Sequence, residues 1–222
     1  MKNIIAVIPA RIGSKRVPKK NIKLLGNKPL IVYTIEVAKR CKLFDKIVVS
    51  TDSGEIQALC EKLSVEVIIR PSELSTDSAK TEEALLHVVS QLESNSYFPK
   101  TIVTLEPTSP FRKTSTVVDA VDNFFSNHYD SLISVVKETG FLWKENVDKL
   151  QELYSGQSRR SQERNGIYKE VGVVYITDTN FLKKTKKIVG GDFTFIEVNG
   201  EEALDINTKL DFAIAETIVI NR

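Results

Sequence analysis

Short apolar runs alternate with amphipathic stretches along this chain, and few folds accept that rhythm. Ile4, Ile5, Ala6, Val7 and Ile8 are uninterrupted by any polar residue. Such a run is expected of a strand buried on both faces of a parallel sheet. Pro29 then opens a helical pattern with apolar residues at Leu30, Tyr33, Val37, Ala38 and Cys41,. Ile47, Val48 and Val49 read as the next strand. Asp52 or Ser53 stands where it can cap a helix whose stripe is Ile56, Leu59, Cys60 and Leu63,. The same reading gives strands at residues 65–69, 102–105, 132–136, 172–176 and 193–198. Between them lie helices with inward faces Leu85, Val88, Val89, Leu92 and Val117, Val121, Phe124, Phe125. Leu210, Ala213, Ile214 and Thr217 mark a closing helix. Strands alternating with amphipathic helices mean βαβ units joined by right-handed crossovers. The expected fold is three-layer α/β, a mostly parallel twisted sheet with helices on both faces.

The 222 residues suit one domain, with residues 137–169 as the exception to the pattern,. That segment is rich in charge, with Phe141 and Trp143 among its few large apolar side chains. It buries little core by itself and is expected to form an arm or flap, over the site or against a second subunit. A net charge of +2 is too small to argue for nucleic acid or a membrane surface as partner,. Cys41 and Cys60 fall at apolar helical positions, without disulfide density or metal-ligand spacing, and read as buried free thiols,. The first apolar run stops at Arg11 with no cleavage region, and no stretch is long enough to span a bilayer, so the cytoplasm is the expected compartment,. His87 and His128 both fall on expected helices and read as structural or surface residues,.

In an open α/β sheet, ligands bind beyond the carboxyl ends of the strands, so the loops there carry the chemistry. The first, residues 9–21, holds Arg11, Lys15, Arg16, Lys19 and Lys20 together with Gly13 and Ser14. A polyphosphate needs what this loop offers: backbone N–H groups that can approach oxygens, and cations to neutralise charge. Neither GxxxxGK[ST] nor GxGxxG spacing is present,.

The stretch from Ile8 to Asn21 resembles the signature of the acylneuraminate cytidylyltransferases, IPAR-x-GSKR-x-P-x-KN. Ser50-Thr51-Asp52, Arg70-Pro71-Ser72-Glu73-Leu74, Pro107-Thr108-Ser109-Pro110-Phe111-Arg112 and Asp205-Ile206-Asn207-Thr208 follow in the family's order. The resemblance implies a Rossmann-like fold of the nucleotide-diphospho-sugar transferase type. It implies transfer of CMP from CTP to a nonulosonic, sialic-acid-like sugar, with release of pyrophosphate and a requirement for Mg²⁺. By the same resemblance Arg11, Gly13, Ser14 and Lys20 or Asn21 are expected at the triphosphate. Arg70 is expected near the cytidine, and Thr81, in the loop before a helix, near the nucleotide. Arg11, Lys20 and Asp205 carry the catalytic expectation. The sugar is expected to meet Arg160, Gln162 and Tyr168, and the arm to join a homodimer.

Two departures change what the resemblance implies. The family carries Gln where this chain has Glu106, and Asp where it has Asn207. One carboxylate is gained and one lost. Glu106 and Asp205 are therefore expected to share the metal, with Asn207 as a neutral ligand or bystander. The alternative is that Glu106 contacts a differently decorated sugar. Three readings stay open: a nonulosonate cytidylyltransferase, a nucleotidyltransferase for a deoxyoctulosonate or a sugar 1-phosphate, and a non-catalytic nucleotide-binding paralogue.

Overall fold

The computed structural model describes residues 3–147, 149–153, 160, 163 and 166–222. Strand β1 (Ile4–Pro9) lies in the interior, with Ile4 2% exposed and Ile5 to Ile8 at 0%. A short hairpin, β2 (Leu24–Leu25) with β3 (Lys28–Pro29), leads into helix α1 (Leu30–Cys41). Then come β4 (Lys46–Thr51), α2 (Gly54–Lys62), β5 (Glu66–Ile69), α3 (Thr81–Ser94), β6 (Thr101–Thr104) and α4 (Thr114–Ser126). The second half holds β7 (Ser131–Glu138), β8 (Trp143–Asn146), β9 (Lys149–Glu152), β10 (Ile167–Asp178), α5 (Thr179–Thr185), β11 (Phe193–Glu197) and α6 (Lys209–Ile220).

Seven strands form one sheet in the order β11-β7-β10-β6-β1-β4-β5. β10 runs antiparallel to both its neighbours, and every other pairing in the sheet is parallel. Alternate residues of β1 serve opposite faces, as the two-residue period of a strand requires. Ile4, Ala6 and Ile8 pack with α1, α2 and α4 through Ile31, Ile35, Ile56, Val117 and Val121. Ile5 and Val7 pack with α3 and α5 through Leu85, Val88, Leu92 and Leu182. The three-layer α/β architecture expected from the sequence is the one found. Cys41 and Cys60 are buried free thiols, as expected. Among the described residues, no helix is long and apolar enough to cross a membrane.

The helix termini explain several local choices. Ser53 caps α2, its side chain accepting from the Ile56 N–H at 3.4 Å,. Asp52, the other candidate cap, instead accepts from the Ile12 N–H at 2.9 Å and so ties the first loop to the end of β4. Thr208 and Asp211 form a capping box at the start of α6,. Three expectations need correction. His128 lies beyond α4, in the left-handed region at φ 57, because the helix has already ended at Ser126. Thr81 is the first residue of α3 rather than part of the loop before it. The strand expected at residues 172–176 runs from Ile167, because its first half pairs with β7 out to Glu138.

That pairing gives form to the exceptional segment. β6 meets β10 only over Tyr175 to Asp178, so the earlier half of β10 runs on with β7 past the end of β6 as a ribbon. β8 and β9 add a second small hairpin whose Trp143 and Leu150 are 50% and 70% exposed.

Candidate active site

A cleft of about 510 Å³ opens beyond the carboxyl ends of β1, β5 and β6, where an α/β sheet binds its ligands. Its first wall is the basic loop. Ala10 N–H donates to Ser50 O at 2.8 Å, and the Asn21 side chain donates from Nδ2 to Arg11 O at 2.9 Å. Val17 is 2% exposed and packs with Leu25, Leu30, Phe111, Ile206 and Phe212. The loop backbone is thus braced from several sides while Arg11, Lys15, Arg16 and Lys20 face the cleft. Buried Asn21 serves as one of the braces.

The cations already have carboxylate company. Asp77, on the opposite wall, pairs with Arg11 Nη1 at 2.8 Å and with Lys15 Nζ at 2.5 Å. Hydrogen bonds from Lys15 and Arg11 hold its carboxyl below the ordinary carboxylate range,. Lys20 donates to Ile206 O at 2.7 Å. Burial lowers its ammonium, opposed by the charges of Asp205 and Glu106. Arg70 is buried and donates to Ser50 O at 2.8 Å, to Ser50 Oγ at 3.2 Å and to Leu74 O at 3.4 Å. Its role in this state is to bind the loop after β5 to β4, with one edge on the cleft.

Glu106 lines the cleft floor, within the electrostatic field of Asp205 behind Asn207. Burial, and then the charge of Asp205, push the Glu106 carboxyl up to about 7. Asp205 accepts from Asn207 Nδ2 at 2.6 Å through Oδ2, while its Oδ1 is buried without a hydrogen-bond partner. An orphaned buried carboxylate oxygen beside a second carboxyl is a donor set that suits a hard divalent cation. Among the described residues no group of three or more His, Cys, Asp and Glu could hold a metal. Mg²⁺ does not demand one, since it commonly takes one or two carboxylates and completes its shell with substrate phosphates and water. Asn207 lines the cleft, but its amide nitrogen is spent on Asp205 and its Oδ1 accepts from Arg16 Nη2 at 3.5 Å. In this arrangement its side chain braces Asp205.

Glu106 is held by Arg112, a residue whose motif was visible in the sequence but whose role was not. The guanidinium is 3% exposed and donates to Glu106 O at 2.6 Å, Thr34 Oγ1 at 3.0 Å, Gly172 O at 3.3 Å and Val173 O. These bonds fasten the loop after β6 to the register shift in β10 between Val171 and Tyr175. Gly172 matters there, since a Cβ at this position would come within 3.4 Å of the Glu106 side chain.

The structure brings Arg11, Ser14, Lys20, Asn21, Arg70, Thr81, Glu106 and Asn207 to one cleft, with Asp205 directly behind Asn207. Gly13 is exposed on the same loop but does not line the cleft. Tyr168 is out on the ribbon, 49% exposed and 5.0 Å from the ring of Phe195. Arg160 is exposed in the arm and pairs with Glu163 at 3.3 Å. Neither lines this cleft or the smaller one beside it. Gln162 lies outside the described residues. Sequence reasoning missed Asp77, Glu82, Glu170, Tyr175 and Lys187, which line these cavities from segments without a motif.

Comparison with known proteins identifies the family. The family model described as Cytidylyltransferase matches residues 5–196. The chain is 33% identical over 223 residues to an N-acylneuraminate cytidylyltransferase of Escherichia coli O18:K1:H7, a match covering 97% of this chain and 52% of that protein. This chain therefore spans about half the length of that relative. It is 32% identical to a CMP-N,N'-diacetyllegionaminic acid synthase of Legionella pneumophila, covering 97% of this chain and 96% of the relative. Among solved structures, a CMP:2-keto-3-deoxy-manno-octonic acid synthetase complexed with CTP superposes with a TM-score of 0.75 over 98% of both chains. At 16% identity that likeness concerns the fold alone.

Proposed function

This chain belongs to the cytidylyltransferase family, and from that premise we propose that it transfers CMP from CTP to a nonulosonic, sialic-acid-like sugar. The observation that carries the proposal is the single cleft in which Arg11, Lys15 and Lys20 oppose Glu106, with Asp205 close behind it in the field of both Glu106 and Lys20. Cations on one wall and a metal-competent carboxylate pair on the floor are what a nucleoside triphosphate requires. Similarity to proteins named for N-acylneuraminate and N,N'-diacetyllegionaminic acid supports a nine-carbon acidic acceptor.

The chemistry is an in-line displacement. The acceptor's anomeric hydroxyl oxygen bonds to the α-phosphorus, the bond from that phosphorus to the β-bridging oxygen breaks, pyrophosphate departs and the hydroxyl proton is released. Arg11, Lys15 and Lys20 neutralise the triphosphate and the departing pyrophosphate. Ser14 and the N–H groups at the start of α3, near Thr81, add uncharged donors. Asp205 and Glu106 would hold a magnesium ion, which when bound offsets negative charge on the phosphates. No protein nucleophile is needed. The exposed apolar side chains of the arm, Leu142, Trp143 and Leu150, support a homodimer built through it,. We place the enzyme in the cytoplasm, where CTP is made.

Pyrophosphate release measured with each of the four nucleoside triphosphates against a panel of acid sugars tests this reading. Release with CTP and a nine-carbon keto acid is expected. Release only with a deoxyoctulosonate or a sugar 1-phosphate would replace the acceptor. Tight CTP binding without turnover on any acceptor would overturn the activity.

A further inference from the structure

A second cavity of about 450 Å³ adjoins the nucleotide cleft, with Thr81 and Glu106 on the walls of both. If the triphosphate lies in the first cleft as proposed, a sugar in this cavity would lie beside it, across the shared Thr81 and Glu106. Its remaining walls come from Glu82, Glu170, Tyr175, Lys187, Ile188 and Val189. An acidic sugar entering this space faces three carboxyl groups, Glu82, Glu106 and Glu170. Tyr175 already donates from its hydroxyl to Glu170 Oε1 at 3.0 Å. Like charges brought together at a partly desolvated surface repel, so the acid's own carboxylate needs a cation within contact distance.

Among the described residues, Lys187 is the one cationic residue on the wall of this cavity. No ion pair is formed by its ammonium among the described residues. The short segment that carries it is pinned on both sides. Thr177 Oγ1 donates to Ile188 O at 2.8 Å from within the sheet, where Thr177 is fully buried. Gly190 exchanges two hydrogen bonds with buried Ser131, at 3.0 Å from Gly190 N–H to Ser131 Oγ and 2.8 Å from Ser131 Oγ to Gly190 O. Lys186 closes α5 in the left-handed region, its N–H donating to Leu182 O at 2.9 Å,. The backbone at position 187 therefore holds its place between fixed points while the flexible stem lets the ammonium reach in.

We propose that Lys187 is the specificity-determining cation of the acceptor cavity, pairing with the carboxylate of the sugar and selecting acidic acceptors over neutral ones. The assignment rests on the proposed acid-sugar transfer, and it assigns a role to a residue outside every motif of the chain. Glu82 and Glu170, around the same cavity, are left to accept from the sugar's hydroxyl and acylamino N–H groups.

Steady-state kinetics of Lys187→Met and Lys187→Arg test it, with CTP and the acid sugar varied in turn. In Lys187→Met the KM for the acid should rise about tenfold or more, the loss expected when a charge-assisted hydrogen bond is removed. The KM for CTP and kcat should stay within about threefold, since the pairing is equally present in ground and transition states. Lys187→Arg should keep most of the wild-type affinity. An unchanged KM for the acid in Lys187→Met, or a parallel rise in the KM for CTP, overturns the role of Lys187 while leaving the activity standing. Wild-type protein that turns over no acid sugar, or only neutral ones, overturns the acceptor reading and Lys187 with it.

Discussion

Lys20 donates from Nζ to the main-chain oxygen of Ile206 at 2.7 Å, joining the first loop of the chain to the segment that carries Asp205. The contact spans 186 positions of sequence and fixes the distance across the cleft. It also leaves a single ammonium within the fields of Asp205, Glu106, Arg16 and Arg11. The two walls of the site are therefore mechanically and electrostatically coupled through one side chain.

Replacing Lys20 should show this coupling. Lys20→Met is expected to lower kcat/KM by about 10²-fold or more, the scale of losing one preorganised charge-stabilising donor. The fold should survive, because the side chain is only half-buried. Steady-state kinetics beside a thermal melt check both halves. A variant that retains full activity would remove Lys20 from the chemistry.

The Glu106 carboxyl makes stability depend on pH in a stated direction. Its ordinary value of 4.5 is raised to about 7 by burial and by Asp205. Below pH 4.5 it is neutral in both folded and unfolded chains and contributes no difference. Between these values the folded protein holds a proton that the unfolded chain has released, so folding stability falls as pH rises through the window. Above about pH 7 the loss is complete, on the order of 3 kcal/mol. Glu106→Gln removes that titration. Its melting temperature should match the wild type near pH 4.5 and exceed it by several degrees at pH 8, both without metal. A constant difference across that range would mean that Glu106 is not charged at the cleft floor. In activity assays the same variant should demand more Mg²⁺ if Glu106 shares the metal with Asp205, and unchanged Mg²⁺ dependence would leave the metal to Asp205 alone.

Asp77 pairs with Arg11 and Lys15, so a triphosphate bound there as proposed would compete with it. Its pairs are surface pairs of modest strength, with Asp77 45% exposed and Lys15 80% exposed,. Asp77→Asn should tighten CTP binding by about threefold and raise its sensitivity to salt, because both cations become fully available to the nucleotide. Calorimetric titration with CTP at two ionic strengths reads this directly. Weaker binding in the variant would show instead that Asp77 positions Arg11 for the phosphates.

Much of this was legible from residue pattern, for physical reasons. Ile4 to Ile8 must be buried on both faces because no polar residue interrupts them, and the cations from Arg11 to Lys20 must then lie at the strand's carboxyl end. Pairing direction left no such mark. β10 is as apolar as its neighbours over Val171 to Ile176, and an apolar run reads the same whether its ladder is parallel or antiparallel,. The register shift that brings Gly172 against Glu106 depends on tertiary packing around Arg112, whose four acceptors come from three separate segments. Asp52 and Ser53 were equally plausible caps on paper, and the choice was settled by the Ile12 N–H, which lies 40 positions away. Lys187 and Asp77 belong to no motif, and only the folded chain shows which cavity a charged side chain borders.

A crystal structure of the chain with CTP and Mg²⁺ puts the central claim to its most direct test. The account predicts the triphosphate within hydrogen-bond distance of Arg11, Ser14 and Lys20, with Asp77 released from Arg11 and the metal on Asp205. A nucleotide bound away from the residue 9–21 loop, or a metal with no contact to Asp205, would contradict it.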